Sequence, residues 1–449
     1  MNTASLSEVR PCLEGAIPAI MATCASDGTP NVAYLSQVFY VDEQHVALSF
    51  QFFNTTRRNL LGNTRSTVLV LHPMTGRFYR LHLRYLRTEE SGAVFESMKA
   101  QLASIASHSG MGDVFRLRGS DIHEVLEVER VDGMPLPEPP ARCSMLGALR
   151  RGSARLAQCD SLGALLDGTM ATLEEDLGID HAMLLILDAA TQRLYTVASK
   201  GYSLSGVGSE IALGDGVIGV AARERTPVRI MHMTSAYLYS RAMREGLPDG
   251  GGVPAGTDIP YPGLSEPHSQ LAVPLLCAGR LLGVLFVESP QDMRFGFEDE
   301  DVLVTLAGQL AAAIDLMQQS AEPAEPPNST SARSVAPTHT GPTLRVRHYL
   351  SDHSVFVNDT YLIKGVAGAI LWKLLQDGQR EGRSEFTNRE LRLDPKLRLP
   401  DVADNLEARL LLLHRRLSEQ CPQLRIQRTG RGCFRFEVQG RVLLQDAPA

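Results

Sequence analysis

Apolar and polar positions alternate with a period of two over residues 80–88 (RLHLRYLRT) and again over 122–131 (IHEVLEVERV), as strands with one buried face require. The same pattern predicts strands at 17–23 (IPAIMAT), 30–42 (PNVAYLSQVFYVD) and 45–51, a turn at Asp27-Gly28 and a helix over 93–106. Beyond residue 143 the pattern changes. A helix over 162–177 precedes the nearly unbroken apolar strand 181–188 (HAMLLILD) and a second strand at 194–199. The run 271–288 (LAVPLLCAGRLLGVLFVE) reads as two strands joined by a tight turn at Ala278-Gly279. A helix from residue 298 carries Val302, Leu306, Leu310, Ala313 and Met317 at about a 3.5-residue repeat, and Leu162, Leu165, Leu166 and Leu173 line the opening helix. These stripes either pack on their own sheet or form a seam between two copies, and the second reading predicts a homodimer. From 344 onward, short strands (LRVRHYL, SVFVND, TYLIKG) lead into helices at 366–375, 388–393 and 403–420, then strands at 425–428 and 434–438. Thr387 is a good N-cap for the second of these helices.

Two proline-rich stretches punctuate the 449 residues: 132–142 (DGMPLPEPPAR) and 321–342 (AEPAEPPNSTSARSVAPTHTGP). The second has almost nothing to bury and is predicted to be a disordered tether. The chain therefore divides into 1–131, 143–320, a linker at 321–342, and 343–441, a multidomain α+β protein. No apolar run reaches the roughly 18 residues of a membrane span, and the N-terminus lacks a signal pattern, so a cytoplasmic protein with no membrane partner is expected. The seven cysteines (12, 24, 143, 159, 277, 421, 433) are scattered, and none has zinc-ligand spacing, so neither a disulfide framework nor a metal site is assigned. The net charge of −7 conceals an asymmetry. Residues 341–441 hold 18 basic against 12 acidic residues, a surplus of six, which leaves the rest near −13. A basic C-terminal unit on an acidic body predicts a polyanionic partner for that end.

Residues 48–61 (LSFQFFNTTRRNLL) begin as a strand and break at a polar corner before an apolar helix start. Arg57 and Arg58 beside Thr55, Thr56 and Asn59 offer guanidiniums, hydroxyls and free backbone N–H groups to a phosphate monoester; the other reading is a solvated helix start. Residues 17–131 resemble the FMN-binding split barrel of the pyridoxamine-phosphate oxidase family, whose members hold the flavin phosphate at this corner. The resemblance implies FMN, with a deazaflavin or haem as alternative occupants, and Asn31, Ser36, Ser49, Gln51, Thr55, Thr56, Arg57, Arg58 and Asn59 as its binding residues. Asn31 and Ser36 stand near where the oxidase proper has Arg and Lys, a departure that counts against oxidase activity more than against flavin binding. His82 and His123, both on strands, read as structural.

Residues 160–317 resemble a GAF domain, most specifically in the 271–288 hairpin. The resemblance implies either a small-molecule input of unspecified ligand or a dimerisation unit. Gly214, Gly216 and Gly219 read as turn and packing positions, since they lack the dinucleotide spacing. His232 and His268 border a Gly-, Pro- and Tyr-rich insertion, 234–267, either a lid over the pocket or a surface loop. The last hundred or so residues resemble the winged-helix output domain of bacterial response regulators, most specifically at RIQRTGRGCFRFEV. Along 403–420, Leu406, Leu410, Leu413 and Leu417 form a core stripe. The resemblance assigns Asn405, Arg409, Arg415 and Arg416 to DNA, and Arg428 and Arg431 of the wing to phosphates. Leu411, Leu412 and His414 stand where the family has further basic residues, and two exposed leucines there fit a protein contact instead.

The architecture expected is thus a split β-barrel, a GAF α/β/α sandwich-like domain and a winged helix-turn-helix. The function expected is a one-component transcriptional regulator in which flavin and GAF sensors control a DNA-binding output. A flavin-dependent oxidase or reductase with regulatory domains and a non-catalytic dimeric scaffold are the alternatives. The proline-rich tether predicts coupling through local concentration or dimer spacing, not rigid transmission.

Overall fold

The computed structural model describes residues 3–13, 17–35, 37–50, 55–92, 94–99, 117–137, 144–230, 259–319, 343–395, 397, 406–430 and 432–447. It is a multidomain α+β protein built on curled antiparallel sheets, with a six-stranded sheet in its middle unit.

The N-terminal unit is a seven-stranded sheet of β1 (Ala19–Cys24), β2 (Pro30–Leu35), β3 (Val38–Tyr40), β4 (His45–Phe50), β5 (Arg65–Leu71), β6 (Phe78–Glu89) and β7 (Gly119–Arg130). The spatial order is β2-β1-β5-β6-β7-β4-β3, with every neighbour antiparallel. Alternation in β6 does what the pattern predicts: Tyr79, Leu81 and Leu83 turn inward onto Met21, Val46 and Val68. Helix α1 (Thr55–Gly62) leaves the end of β4 and buries Leu60. The expected helix over 93–106 is described only at 94–99.

Six strands, β8 (His181–Asp188), β9 (Arg193–Lys200), β10 (Glu210–Ala212), β11 (Val228–Ile230), β12 (Ser269–Cys277) and β13 (Arg280–Ser289), form the sheet of the middle unit in the order β10-β9-β8-β13-β12-β11. Both faces are buried, which is why β8 and β13 read as continuous apolar runs instead of alternating. One face packs on α2 (Met145–Leu156), α3 (Leu162–Ala171) and α5 (Phe297–Gln319), the other on α4 (Gly216–Glu224). Ala278 (φ 48°) and Gly279 (φ 75°) make the two-residue turn between β12 and β13 with both residues at positive φ, the conformation that matches strand twist in a hairpin.

The C-terminal unit combines β14 (Thr343–Tyr349), β15 (Val355–Val357), β16 (Thr360–Ile363), α6 (Gly365–Glu381), β17 (Glu385–Thr387), α7 (Asn388–Leu393), α8 (Leu406–Gln420), β18 (Leu424–Gly430), β19 (Cys433–Val438) and β20 (Arg441–Ala447). Its small sheets run β16-β15-β14-β20 and β17-β19-β18. The unit runs past Arg441, where the sequence division ended it, because β20 pairs in parallel with β14 from Thr343↔Arg441 to Tyr349↔Ala447.

The units pack on one another. Arg10 of the N-terminal unit lies between the rings of Tyr40 and Phe297, 5.1 and 4.1 Å from their centroids, and its guanidinium meets Asp301 at 3.2 Å. On the other side, the helices of the middle unit and those of the C-terminal unit share one continuous apolar core.

Candidate functional site

At the polar corner the two arginines go separate ways. Arg58 and Thr55 are exposed, whereas Thr56 and Asn59 are buried. Arg57 turns inward: its Nη1 lies 2.6 Å from Asp121 Oδ2, and its Nη2 donates to Thr88 Oγ1 at 2.7 Å. Thr88 in turn donates to Asp121 Oδ1 at 2.6 Å, and the guanidinium sits over the rings of Phe50 and Tyr85. Asn31 donates to Thr56 Oγ1 at 2.9 Å, and both Asn31 and Asn59 approach Thr23 Oγ1. The structure thus gathers Asn31, Thr56 and Asn59 into an internal hydrogen-bond network. It does not bring Arg57 and Arg58 together as the pair of guanidiniums expected for a phosphate. Ser49 bonds through its backbone N–H to the Gln37 carbonyl at 3.2 Å; Ser36 and Gln51 lie outside the described residues. His123 is fully buried, its Nδ1 donates to the Asp121 carbonyl at 2.8 Å, and burial pushes its pKa below the usual value. Asp121, which neutralises Arg57, and Thr88, which accepts its hydrogen bond, were missed in the sequence because they sit on strands distant from it and carry no spacing signal.

In the middle unit, Gly214 and Gly216 take positive φ, and a side chain on Gly219 would start 2.4 Å from the Ala212 carbonyl. On the face that packs on α4, Glu288 is buried with Gln270. Its Oε1 accepts the Leu264 N–H at 2.8 Å, and its Oε2 accepts Gln270 Nε2 at 3.0 Å. Burial raises the Glu288 carboxyl above the usual range, against the lowering effect of those bonds. His268 meets Asp292 at 3.1 Å; His232 and most of the insertion lie outside the described residues. The leucines of α3 and the stripe Val302, Leu306 and Leu310 of α5 are buried inside this one domain. Within the single chain these positions serve intramolecular packing, and Ala313 and Met317 of the same stripe are half-buried.

The helix expected to read DNA is where the structure departs furthest from expectation. Leu406, Leu413 and Leu417 face the C-terminal core, but the opposite face of α8 is also covered, by the middle unit. Arg409 pairs with Asp188 at 2.7 Å, with side-chain exposures of 8% and 11%, and lies 4.3 Å from the centre of the Tyr195 ring. Arg415 donates to the Val197 carbonyl at 2.7 Å and to Asp167 at 2.6 Å. Arg416 is buried and donates to the Leu362 carbonyl at 3.1 Å, and burial lowers its pKa. Leu412, expected to be exposed, is buried beside Gly208, and Leu411 meets α3 at Gly163. Arg428 is exposed, 3.8 Å from Glu407, while Asn405 and Arg431 lie outside the described residues. In this arrangement Arg409 and Arg415 are held at the interface and Arg416 in the interior. Burial pushes the Asp188 carboxyl up, but Arg409 outweighs it and leaves the group below its ordinary value. The clue to this contact was present in the sequence as Leu411 and Leu412; the acidic partner, at the end of the apolar run HAMLLILD, carried none.

Residues 161–314 match the GAF domain family, and the middle unit is a GAF domain. Among solved structures, the chain is similar to the GAF domain of a phosphoenolpyruvate-protein phosphotransferase from Acinetobacter, at 25% identity over 40% of this chain and 97% of that one, with a TM-score of 0.32. It is similar also to the nlh2 GAF domain of A. aeolicus in an inactive state, at 16% identity over 38% and 96%, TM-score 0.29. A third likeness is to an FMN-binding protein from Syntrophomonas wolfei subsp. wolfei, at 15% identity over 29% and 87%, TM-score 0.25. No curated protein matches the chain. Among the described residues, no helix is long and apolar enough to cross a membrane.

Proposed function

We propose that this chain is a one-component transcriptional regulator. The GAF domain receives a small-molecule signal, the C-terminal unit is a winged helix that binds DNA, and the N-terminal unit is a split barrel that takes a flavin-type ring, FMN foremost, as a second input. The observation that carries the reading is the interface between the GAF sheet and α8, centred on the Arg409–Asp188 pair. A helix seated directly on a sensor sheet has its position tied to the state of that sheet. A ligand that binds one arrangement better than the other shifts the balance by its differential affinity. Direct contact of this kind is a route beside the local concentration or dimer spacing that the proline-rich 321–342 stretch led us to expect.

The flavin part is supported by the exposed Thr55 and Arg58 at the start of α1, where backbone N–H groups and a guanidinium favour an anion. Arg57 does not fit that role while Asp121 neutralises it, so no chemistry is assigned to the ring. Two measurements test the whole. The absorbance spectrum of the freshly purified chain should contain a flavin band that survives gel filtration and is lost in the Thr55→Ala/Arg58→Ala variant; a colourless wild type removes the flavin. Binding of the full chain to duplex DNA should weaken steeply with salt, as counterion release demands; absence of binding even at low salt with α8 released from the GAF sheet removes the output.

A further inference from the structure

Two of the side chains a DNA-reading helix would present, Arg409 and Arg415, fasten α8 to the GAF domain. We infer that this arrangement is a closed state in which the GAF domain masks α8, so that DNA and the GAF domain compete for one helix. The inference rests on the DNA-binding reading proposed above.

The contacts run nearly the length of the helix. Near its start, Arg409 holds Asp188 at 2.7 Å. A turn and a half further on, Arg415 bridges the Val197 carbonyl at 2.7 Å and Asp167 at 2.6 Å. At the far end, Glu419 accepts from Ser205 Oγ at 2.9 Å. Lys364, just before α6, adds a pair with Glu210 at 3.6 Å. The helix also packs closely: Leu411 lies 3.7 Å from where a Cβ on Gly163 would stand, and Leu412 3.7 Å from one on Gly208, ordinary van der Waals contact in both cases. The GAF domain thus offers three carboxylates, Asp167, Asp188 and Glu210, to cations of the C-terminal unit. A carboxylate and a phosphate make the same kind of charge-assisted bond to a guanidinium, so the acidic face does for Arg409 and Arg415 what a DNA backbone would do. One guanidinium cannot serve both. Access of DNA to Arg409 requires the ion pair to break and Leu412 to leave its packing. The apparent DNA affinity of the whole chain is then its intrinsic affinity scaled by the open fraction.

The test uses the full chain and changes only the GAF side. In the first variant, Asp167→Lys is combined with Asp188→Asn; the asparagine keeps an acceptor for the Ala190 N–H, which Asp188 Oδ1 takes at 3.0 Å. In the second, Gly163→Phe places a ring where Leu411 now lies. Amide hydrogen exchange across 406–420 reads the docking, and anisotropy titration of a mixed-sequence DNA duplex at low salt reads the output. We expect faster exchange along α8 in both variants and DNA binding tighter than wild type by about tenfold or more. Unchanged exchange in both variants overturns the clamp. Faster exchange with wild-type DNA affinity overturns the masking. Faster exchange with no DNA binding by any of the three proteins overturns the DNA-binding function itself, and the masking with it, a result distinct from the first.

Discussion

Arg57 and Arg58 are neighbours in sequence and strangers in space. Consecutive residues on a helix do not face each other, so once 55–62 is helical one of the two must turn in and the other out. Arg57 turns in, into a pocket closed by Asp121, Thr88, Phe50 and Tyr85. Both partners of the pair are nearly buried, at 11% and 6% side-chain exposure. Removing one partner of such a pair leaves the other charged and desolvated, at a cost of about 3–5 kcal/mol, whereas replacing both by apolar groups of similar volume is close to neutral. Asp121→Ala should therefore lower the denaturation midpoint sharply, and Arg57→Met with Asp121→Leu should recover most of the loss. A single substitution no more costly than the double would show that the pair is solvated. That a polar corner exists was legible in NTTRRN; which arginine faces outward was not, because the deciding acid lies 64 positions away on β7.

At the scale of elements, what the sequence revealed was whatever is decided locally. Thr387 caps α7 by accepting the Glu390 N–H at 3.2 Å, and the Ala278-Gly279 turn joins β12 to β13 where the pattern placed it. Pairings across long separations had no such signal: nothing in RVLLQDA marks β20 as a parallel neighbour of β14, almost a hundred residues earlier. The same limit hid the second covered face of α8, since a leucine beside an arginine reads as a patch until its partner domain is known. Gly283 shows how tightly the central strands meet. It lies on β13 opposite β8, and an added Cβ would start 2.0 Å from the Leu185 carbonyl. That oxygen belongs to a paired strand and cannot rotate away, so strands must part to admit a methyl group. Gly283→Ala should destabilise the GAF domain by about 3 kcal/mol or more, at the upper end for overpacking. A shifted urea midpoint at unchanged slope would confirm it, and an unshifted midpoint would mean that the sheet spreads freely there.

In the whole molecule the GAF domain is the hub, with Arg10 seated against Phe297 on one side and α8 on the other. Linker composition divided the chain but was silent on this docking, which depends on the charges two folded faces present to each other. The α8 contact carries its own pH signature. Asp188 faces the Arg409 guanidinium of α8, the Thr191 side chain and the Ala190 N–H, and the balance with burial leaves its carboxyl below the ordinary value. An acid with a depressed folded-state pKa contributes stability that is present above its unfolded value, near 3.9, and is lost as pH falls through its folded value. Arg409 stays charged throughout, so acid leaves a nearly buried guanidinium without its counter-charge. Wild type and Asp188→Asn should therefore differ in denaturation midpoint at about pH 7, and the difference should shrink only as acid takes the pH through the depressed folded-state pKa of Asp188 and its carboxylate is protonated. A difference that persisted undiminished in acid would place the contribution of Asp188 in its hydrogen bonds and packing, and the charge of the GAF face would no longer account for the seating of α8.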